Sequence, residues 1–338
     1  MSKYTKNPFV ISGLFLIFAI IFLFIFFNRN SRNSLIEQVQ HRQQLSVRLG
    51  SELIENLLNS VGKSLLMISN KREQAELDLF VKNWNASGIV GITFLNKDGI
   101  VTKSSNILNL PDLGQNLSDR EYFKWAKKSL GGEYKVFTPI LSKRGPSKGT
   151  YVIPIARSVI SANKGFDGVL VTAIPLSSLT SGYLNNIKVL DSSKIYIITD
   201  LGEIIYSDDY SKLGKKIDDL LNFEFLGKNK VLEILFDSLK NRKESKLELA
   251  LPNLEKNNNI EPYIISDSPL QVSEQHWKLV VITAENDLSI FTFNLLNRQM
   301  MIVFVVTIVF ILLTLRVSKN SGYDEAVKDE HKIHKITS

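Results

Sequence analysis

The sequence ITFLNKDGIVTKSS, from Ile92 to Ser105, decides the fold class of this chain. It contains two short runs of strand-forming residues around a Lys-Asp-Gly turn, which is a strong local signal for a β-hairpin. A similar stretch, IYIITDLGEIIYSDD, runs from Ile195 to Asp209 around an Asp-Leu-Gly turn. Each hairpin is followed by a helical stretch and three strand candidates. The repeated order predicts two mixed modules of helices and strands in tandem.

A helix of the first module is predicted from the stretch SDREYFKWAKK, which begins at Ser118. Ser118 and Glu121 have the spacing of a capping box, which places the helix start at Asp119. Two glycines at positions 131 and 132 end this helix. In the second module a helical stretch is predicted at residues 230–240. The predicted strands that follow the two helices cover residues 134–141, 151–160, 168–175, 246–251, 262–266 and 277–283.

Two apolar runs enclose the modules. Phe9 to Phe27 carries no charged residue and, at about 1.5 Å per residue, nearly covers a hydrocarbon core about 30 Å thick. No small-residue cleavage site follows, so the run is predicted to be an uncleaved anchor. The second run, Met300 to Leu315, lies between Arg298 and Arg316, whose long side chains reach the headgroups. Cationic residues after this run predict cytoplasmic termini, with residues 28–299 outside.

The predicted fold class is α+β, with a long N-terminal helix and two tandem modules between two transmembrane helices. The location predicted for this two-pass chain is the cell (inner) membrane, and its outer part is extracytoplasmic or periplasmic. The predicted parts are a cytoplasmic N-terminus (1–8), a transmembrane helix (9–27), a long extracytoplasmic helix (28–87), the first module (88–184), the second module (185–288), a juxtamembrane segment with the second transmembrane helix (289–317), and a short cytoplasmic tail (318–338).

The segment before the first hairpin has a helical pattern of apolar residues, mostly four apart. This pattern predicts a helix from Ser31 to Trp84 with a break near residues 60–62. Under one interpretation the apolar stripe packs on its own domain, and under the other it forms the seam of a homodimer or heterodimer. The residues of the stripe are Leu35, Val39, Leu49, Leu53, Leu57 and Val61.

Composition argues against an enzyme, a metal protein and a nucleic-acid partner. The chain has no cysteine, so its outer part has to be held by ordinary hydrophobic cores. Its 4 histidines do not have metal-ligand spacing, and the acid pairs at 208–209 and 218–219 do not have that of a Ca²⁺ loop. No nucleophile elbow or phosphate loop is present. We therefore predict no catalytic residue, no cofactor and no metal site. The net charge of +7 falls mostly in the predicted outer part, so it does not indicate a nucleic-acid partner.

Several stretches, taken in order, resemble the double Cache sensor domains of bacterial histidine kinases, chemoreceptors and diguanylate cyclases. The resemblance covers roughly residues 28–288. It implies a long helix followed by a membrane-distal and a membrane-proximal PAS-like module, with a small molecule bound in the distal one. The stretches that carry it are NKDGIVTKSS, LGQNLSDREYFKWA, YVIPIARSVISANKGFDGVLVTAIPLSSL, IYIITDLGEIIYSDDYSKLGKKI and HWKLVVITAENDL.

The resemblance also implies which residues bind the ligand. Residues at the start of the first module's helix match the motif that lines the distal pocket, and an arginine matches one that recurs at the end of the fourth strand. The predicted ligand-binding residues are Arg120, Tyr122, Phe123, Tyr134 and Arg157.

Two departures from the family pattern bear on the ligand. Amino-acid-binding members have Trp-Tyr where this chain has Tyr122-Phe123. They also have an aspartate, which pairs with the ligand's amino group, where this chain has Ala173. The resemblance therefore disfavours an α-amino acid.

The chemistry of the helix start favours an anion. Free backbone N–H groups and the positive end of the helix dipole lie there. From Arg120 to Lys148 the chain has eight cationic and two anionic residues. Arg120 can hold a carboxylate through two parallel N–H bonds, and Tyr122 can cover an apolar body. We predict a small organic anion, a carboxylate without an amino group. The alternatives are a ligand of other charge and a purely structural cluster in which Arg120 pairs with Asp119 or Asp112.

The sequence as a whole predicts a membrane-anchored sensor that binds a small molecule and signals through its transmembrane helices. The chain carries no kinase, cyclase or methyl-accepting part, so the signal would pass to a separate cytoplasmic signalling protein. Two alternatives remain open at this point. One is a ligand-independent regulatory subunit that dimerises through the N-terminal helix, and the other is a truncated remnant of a sensor kinase or diguanylate cyclase.

Overall fold

The computed structural model describes residues 8–68, 72–129, 131–161, 165–217, 237, 243–252, 260–288, 301–309 and 311–312. The predicted helix at 230–240 falls outside these residues, apart from residue 237. Contacts divide the chain into two units, one formed by Val39–Glu285 and the other by Met1–Gln38 with Asn286–Ser338. In the part of the chain just defined, no helix combines the length and apolar character that a membrane crossing requires.

The N-terminal helical segment is interrupted at a different place from the one predicted, between Met67 and Gln74. Helix α1 runs without interruption over Pro8–Met67, and α2 follows at Gln74–Trp84. The predicted break near residues 60–62 is therefore wrong. A glycine inside a helix costs about 1 kcal/mol relative to alanine, but Gly62 lies where the ring of Tyr134 packs against the helix, and an added Cβ would collide with this ring. The glycine permits close packing and does not end the helix.

The first module combines helices with one antiparallel sheet. The sheet order is β2-β1-β6-β5-β3, and β4 also pairs with β5. The elements are β1 (Gly91–Asn96), β2 (Val101–Asn106), α3 (Glu121–Lys128), β3 (Tyr134–Val136), β4 (Ile140–Leu141), β5 (Tyr151–Ile160), β6 (Phe166–Pro175) and α4 (Leu176–Gly182). The predicted first hairpin is present, and its turn contains Gly99 at φ +81°.

The second module is a five-stranded antiparallel sheet with the order β8-β7-β11-β10-β9. Its strands are β7 (Lys194–Thr199), β8 (Ile204–Ser207), β9 (Ser245–Pro252), β10 (Ile260–Val272) and β11 (Gln275–Ala284). The predicted second hairpin, β7-β8, is present. The α+β class, the long helix and the two sheets of the prediction are thus confirmed.

Helix α3 begins and ends differently from the prediction. Arg120 occupies the N-cap position, and the helix has no side-chain cap hydrogen bond. The predicted capping box is therefore wrong. Ser118 instead packs against Gly99, and its backbone N–H donates to Asn116 Oδ1 at 2.9 Å. The helix ends at Lys128, before the two glycines, because Ser129 already has extended backbone angles.

Two hydrophobic cores lie on opposite faces of the first sheet. The first core joins α1, α2 and both sheets, and it includes Ile153 and Ile155 of β5. The second core lies beneath α3 and includes Ala156 of the same strand. Because neighbouring side chains of a strand point to opposite faces, β5 contributes to both. The two modules therefore share one core, and α1 lies within it.

Candidate functional site

A pocket opens on the α3 face of the first sheet. It contains about 640 Å³ of space between atoms, open solvent at its mouth included. Its walls come from the sheet, from the start of α3 and from the loop between β4 and β5. The sheet residues that line it include Thr93, Val152, Val171 and Ala173. The structure therefore places a hollow next to the helix start that the sequence singles out.

Arg120 lines this pocket, and its guanidinium Nη2 donates to the carbonyl oxygen of Leu141 at 3.1 Å. The two acids with which Arg120 could have paired lie against other cations. Asp119 Oδ2 is 2.8 Å from Lys143 Nζ, and Asp112 Oδ2 is 3.9 Å from Arg144 Nη1. The hydrogen bond from Lys143 holds the pKa of Asp119 below its usual range. These pairs leave Arg120 available to a ligand.

Tyr122 also lines the pocket and is buried in the second core. Its ring meets Phe137 edge to face, with 6.3 Å between the ring centroids. Burial raises the pKa of Tyr122, and the positive charges of Arg144 and Arg120 oppose this shift. The phenol therefore stays neutral at physiological pH and can donate a hydrogen bond to an anion.

Further polar residues line the pocket that were not predicted to bind the ligand, and three of them bear on its chemistry. They are Ser104 on β2, Asp112 in the loop before α3, and Arg144 in the loop between β4 and β5. Ser104 Oγ and Arg144 Nη1 are buried and have no hydrogen-bond partner among the described residues. Burial lowers the pKa of Arg144. The only sequence signal for Arg144 is its place in the cationic loop SKRGPSKG, which does not distinguish it from its neighbours.

Phe123 does not line the pocket. It belongs to the second core, where its ring packs edge to face against Phe166 with 5.8 Å between centroids. On a helix, successive residues point in directions about 100° apart, so Tyr122 and Phe123 meet different neighbours.

Tyr134 and Arg157 are register partners on β3 and β5. Both side chains contact α1, so they lie on the face of the first sheet away from the pocket. The hydroxyl of Tyr134 donates to Asn59 Oδ1 of α1 at 3.0 Å. Arg157 Nη1 donates to the carbonyl oxygens of Leu65 and Ile68, at 2.9 and 2.6 Å, at the C-terminal end of α1. Burial lowers the pKa of Arg157. The structure thus brings Arg120 and Tyr122 together at the pocket and places the other three predicted residues elsewhere.

The fold and the pocket define an α+β protein of two tandem modules with a candidate binding site in the first one. A family model for the Cache domain matches residues 28–289, and the chain belongs to this family. The predicted family is thereby confirmed. No curated protein matches the chain.

The solved structures to which this chain is similar are distant from it in sequence. The extracellular domain of mmHK1S-Z3, described as a histidine kinase, is 11% identical to this chain with a TM-score of 0.51. The match covers 77% of this chain and 98% of that domain. The ligand-binding domain of the Pseudomonas fluorescens chemoreceptor CtaA, in complex with L-isoleucine, is 13% identical (TM-score 0.49; 76% and 97% covered). An extracellular ligand-binding receptor from Desulfohalobium retbaense is 9% identical (TM-score 0.47), with 73% of this chain and 39% of that receptor covered.

Proposed function

We propose that this chain is a membrane-anchored extracytoplasmic sensor that binds a small organic anion in the pocket of its first module. The observation that carries the proposal is the pocket at the start of α3, with Arg120 and the neutral phenol of Tyr122 in its wall. Binding then biases the chain between two states, and a tenfold bias needs about 1.4 kcal/mol of differential affinity. No catalytic step is part of the proposal.

The ligand we propose is a carboxylate without an amino group. Ala173, at the position where amino-acid-binding members have an aspartate, lines the pocket, so this wall has no carboxylate for an ammonium group. Asp112, the acid that does line the pocket, faces Arg144. The apolar side chains of Val152 and Val171 suit the hydrocarbon part of an organic acid.

The membrane anchor and the signalling route belong to the same proposal. Its support is the uncharged run from Phe9 to Phe27 and the second apolar run from Met300 to Leu315. Helix α1 contains the first run and continues to Met67, where it packs in the first core. A shift of the first module would therefore reach the membrane along this helix and act on a separate signalling protein.

Replacing Arg120 with alanine is expected to weaken carboxylate binding. The full chain, purified in detergent, is heated with acetate, butyrate, pyruvate or succinate. A ligand at 100 times its dissociation constant adds about 2.7 kcal/mol of stability, which raises Tm by about 5 °C. In Arg120→Ala this shift should fall to half or less, because a charge-assisted hydrogen bond is lost.

The matched control is Lys127→Ala, which removes an exposed cation from the same helix away from the pocket. It should keep the full shift. The proposal fails if no carboxylate raises the Tm of the unmodified chain, or if Arg120→Ala shows the same shift as the control.

A second candidate function, a regulatory subunit that associates through α1, is favoured by one observation. The apolar stripe of α1 is divided: Leu57 and Val61 are buried in the first core, whereas Leu49 and Leu53 are 54% and 53% exposed. Leu49 and Leu53 are one helical turn apart, which suits a seam with a second copy of the helix.

The double substitution Leu49→Gln with Leu53→Gln is expected to convert a dimer into a monomer, because it removes the apolar seam. Light scattering after size-exclusion chromatography measures the mass of the protein in its detergent micelle. The control is Leu79→Gln in α2, where an equally exposed leucine (56%) lies off this stripe. A monomeric unmodified chain, or a dimer that survives the double substitution, contradicts the seam.

A further inference from the structure

The loop between β4 and β5 forms a strap over the pocket. We use this name for residues 142–149, of which residues 142–147 line the pocket. The strap has a defined shape. The N–H of Gly149 donates to the carbonyl of Ser142 at 2.9 Å, and the hydroxyl of Ser142 donates to the carbonyl of Arg144 at 3.0 Å. Gly145, at φ +62°, makes the turn that follows Arg144.

Two exposed contacts join the strap to the start of α3. Lys143 Nζ lies 2.8 Å from Asp119 Oδ2, and Arg120 Nη2 donates to the carbonyl of Leu141 at 3.1 Å, next to the strap. The side chains of Lys143 and Asp119 are 57% and 60% exposed. Ion pairs with this exposure are weak, because water and salt compete for both partners. These exposed contacts therefore add little to the stability of the strap in its closed position.

Arg144 is the part of the strap that enters the pocket. Its side chain is only 15% exposed, and the acid with which it pairs, Asp112, is 3.9 Å away, which is too far for a hydrogen bond. Its Nη1 group and the hydroxyl of Ser104, which lines the same pocket, are both buried without a hydrogen-bond partner among the described residues. Buried donors without partners are costly in a folded protein, and an anion in the pocket would satisfy them.

We propose that Arg144 and Ser104 bind the carboxylate of the ligand, with the strap closed over it, and that the pocket selects short monocarboxylates. This inference rests on the proposed function and names the residues that give the pocket its specificity. Asp112 is the reason for a single carboxylate, because its negative charge beside Arg144 would repel a second one. The apolar part of the ligand would lie against Val152, Val171 and Ala173, which line the same pocket.

Arg144→Gln tests this inference. Butyrate, succinate and inorganic phosphate are titrated into the full chain in detergent by isothermal titration calorimetry. We expect butyrate to bind at least tenfold more tightly than succinate or phosphate. Arg144→Gln should weaken butyrate binding about 10- to 100-fold, because charged hydrogen bonds are lost. The butyrate affinity of Arg144→Lys should lie between those of the unmodified chain and Arg144→Gln, because an ammonium group keeps the charge and loses the planar fork.

The matched control is Lys148→Gln, which removes the same charge from an exposed position of the strap that does not line the pocket. Its affinity for butyrate should stay within twofold of the unmodified chain. Ser104→Ala removes a hydroxyl that has no hydrogen-bond partner among the described residues, so the variant should fold normally. It should bind butyrate more weakly than the unmodified chain. Circular dichroism of each variant shows whether it is folded before the titration.

The contact between Lys143 and Asp119 has its own readout. Lys143→Ala removes the contact to Asp119, so butyrate should leave several-fold faster in stopped-flow dissociation. If the unmodified chain binds butyrate and both Arg144→Gln and Ser104→Ala bind it equally well, this inference is overturned while the proposed function stands. Tighter binding of succinate than of butyrate also overturns it. If no carboxylate binds the unmodified chain, both the inference and the proposed function are overturned.

Discussion

Replacing Lys278 with methionine is expected to lower the free energy of unfolding by about 3–5 kcal/mol, because it leaves a buried carboxylate without its cation. Lys278 Nζ lies 2.6 Å from Asp267 Oδ1, and the two side chains are 6% and 0% exposed. The hydroxyl of Ser245 also donates to Asp267. The measurement is urea denaturation of the full chain, followed by tryptophan fluorescence, since Trp277 lies next to the substituted residue and is buried.

Two controls separate the ion pair from packing effects. Lys246→Met removes an exposed lysine from β9 of the same sheet and should change stability by no more than about 0.5 kcal/mol. The double variant Lys278→Met with Asp267→Leu removes both charges, and most of the lost stability should return. A loss below about 1 kcal/mol in the single variant would show that Asp267 does not depend on Lys278.

Gly62→Ala is expected to destabilise the protein by about 1–3 kcal/mol, although alanine is favoured over glycine by about 1 kcal/mol inside a helix. The added Cβ would collide with the ring of Tyr134, which packs against α1. The ring is also held by its hydroxyl, which donates to Asn59 Oδ1 at 3.0 Å, so it cannot move aside freely. Urea denaturation, with the midpoint and slope compared with those of the unmodified chain, measures the effect.

The control is Gly182→Ala at the end of α4, where an added Cβ meets no heavy atom within 4 Å. Its stability should stay the same or rise slightly. Combining Gly62→Ala with Tyr134→Ala removes the collision, so the two substitutions should be less than additive by about 0.5–3 kcal/mol. Strict additivity would mean that the ring does not confine position 62.

Local patterns predicted the fold class and the two hairpins. The two hairpins depend on a turn glycine between short apolar runs, and the structure has both. Their repetition predicted two modules, and the structure has one antiparallel sheet for each hairpin. The family model confirms the predicted family. Where the pattern was ambiguous, the prediction failed. Gly62 resembles a helix break in sequence, but the ring that packs against it comes from a strand 72 positions later in the chain, at residue 134.

The candidate site was only partly predictable. Arg120 and Tyr122 belong to a recognisable motif at a helix start, and both line the pocket. Arg157 was predicted from its place at the end of a strand. Whether such a residue faces the pocket or α1 depends on the phase of the strand relative to the sheet, and here it faces α1. Arg144 could not be predicted, because a loop residue has no periodicity to show where it points.

The amino-acid order by itself determined the hairpins, the two modules and the helix start that lines the pocket, because each depends on contacts between residues near one another in the chain. Tertiary structure alone decided that Arg144 and Ser104 line one pocket and that Tyr134 packs on Gly62. The physical reason is that these contacts join residues far apart in sequence, and only the register of the strands and the packing of α1 bring them together.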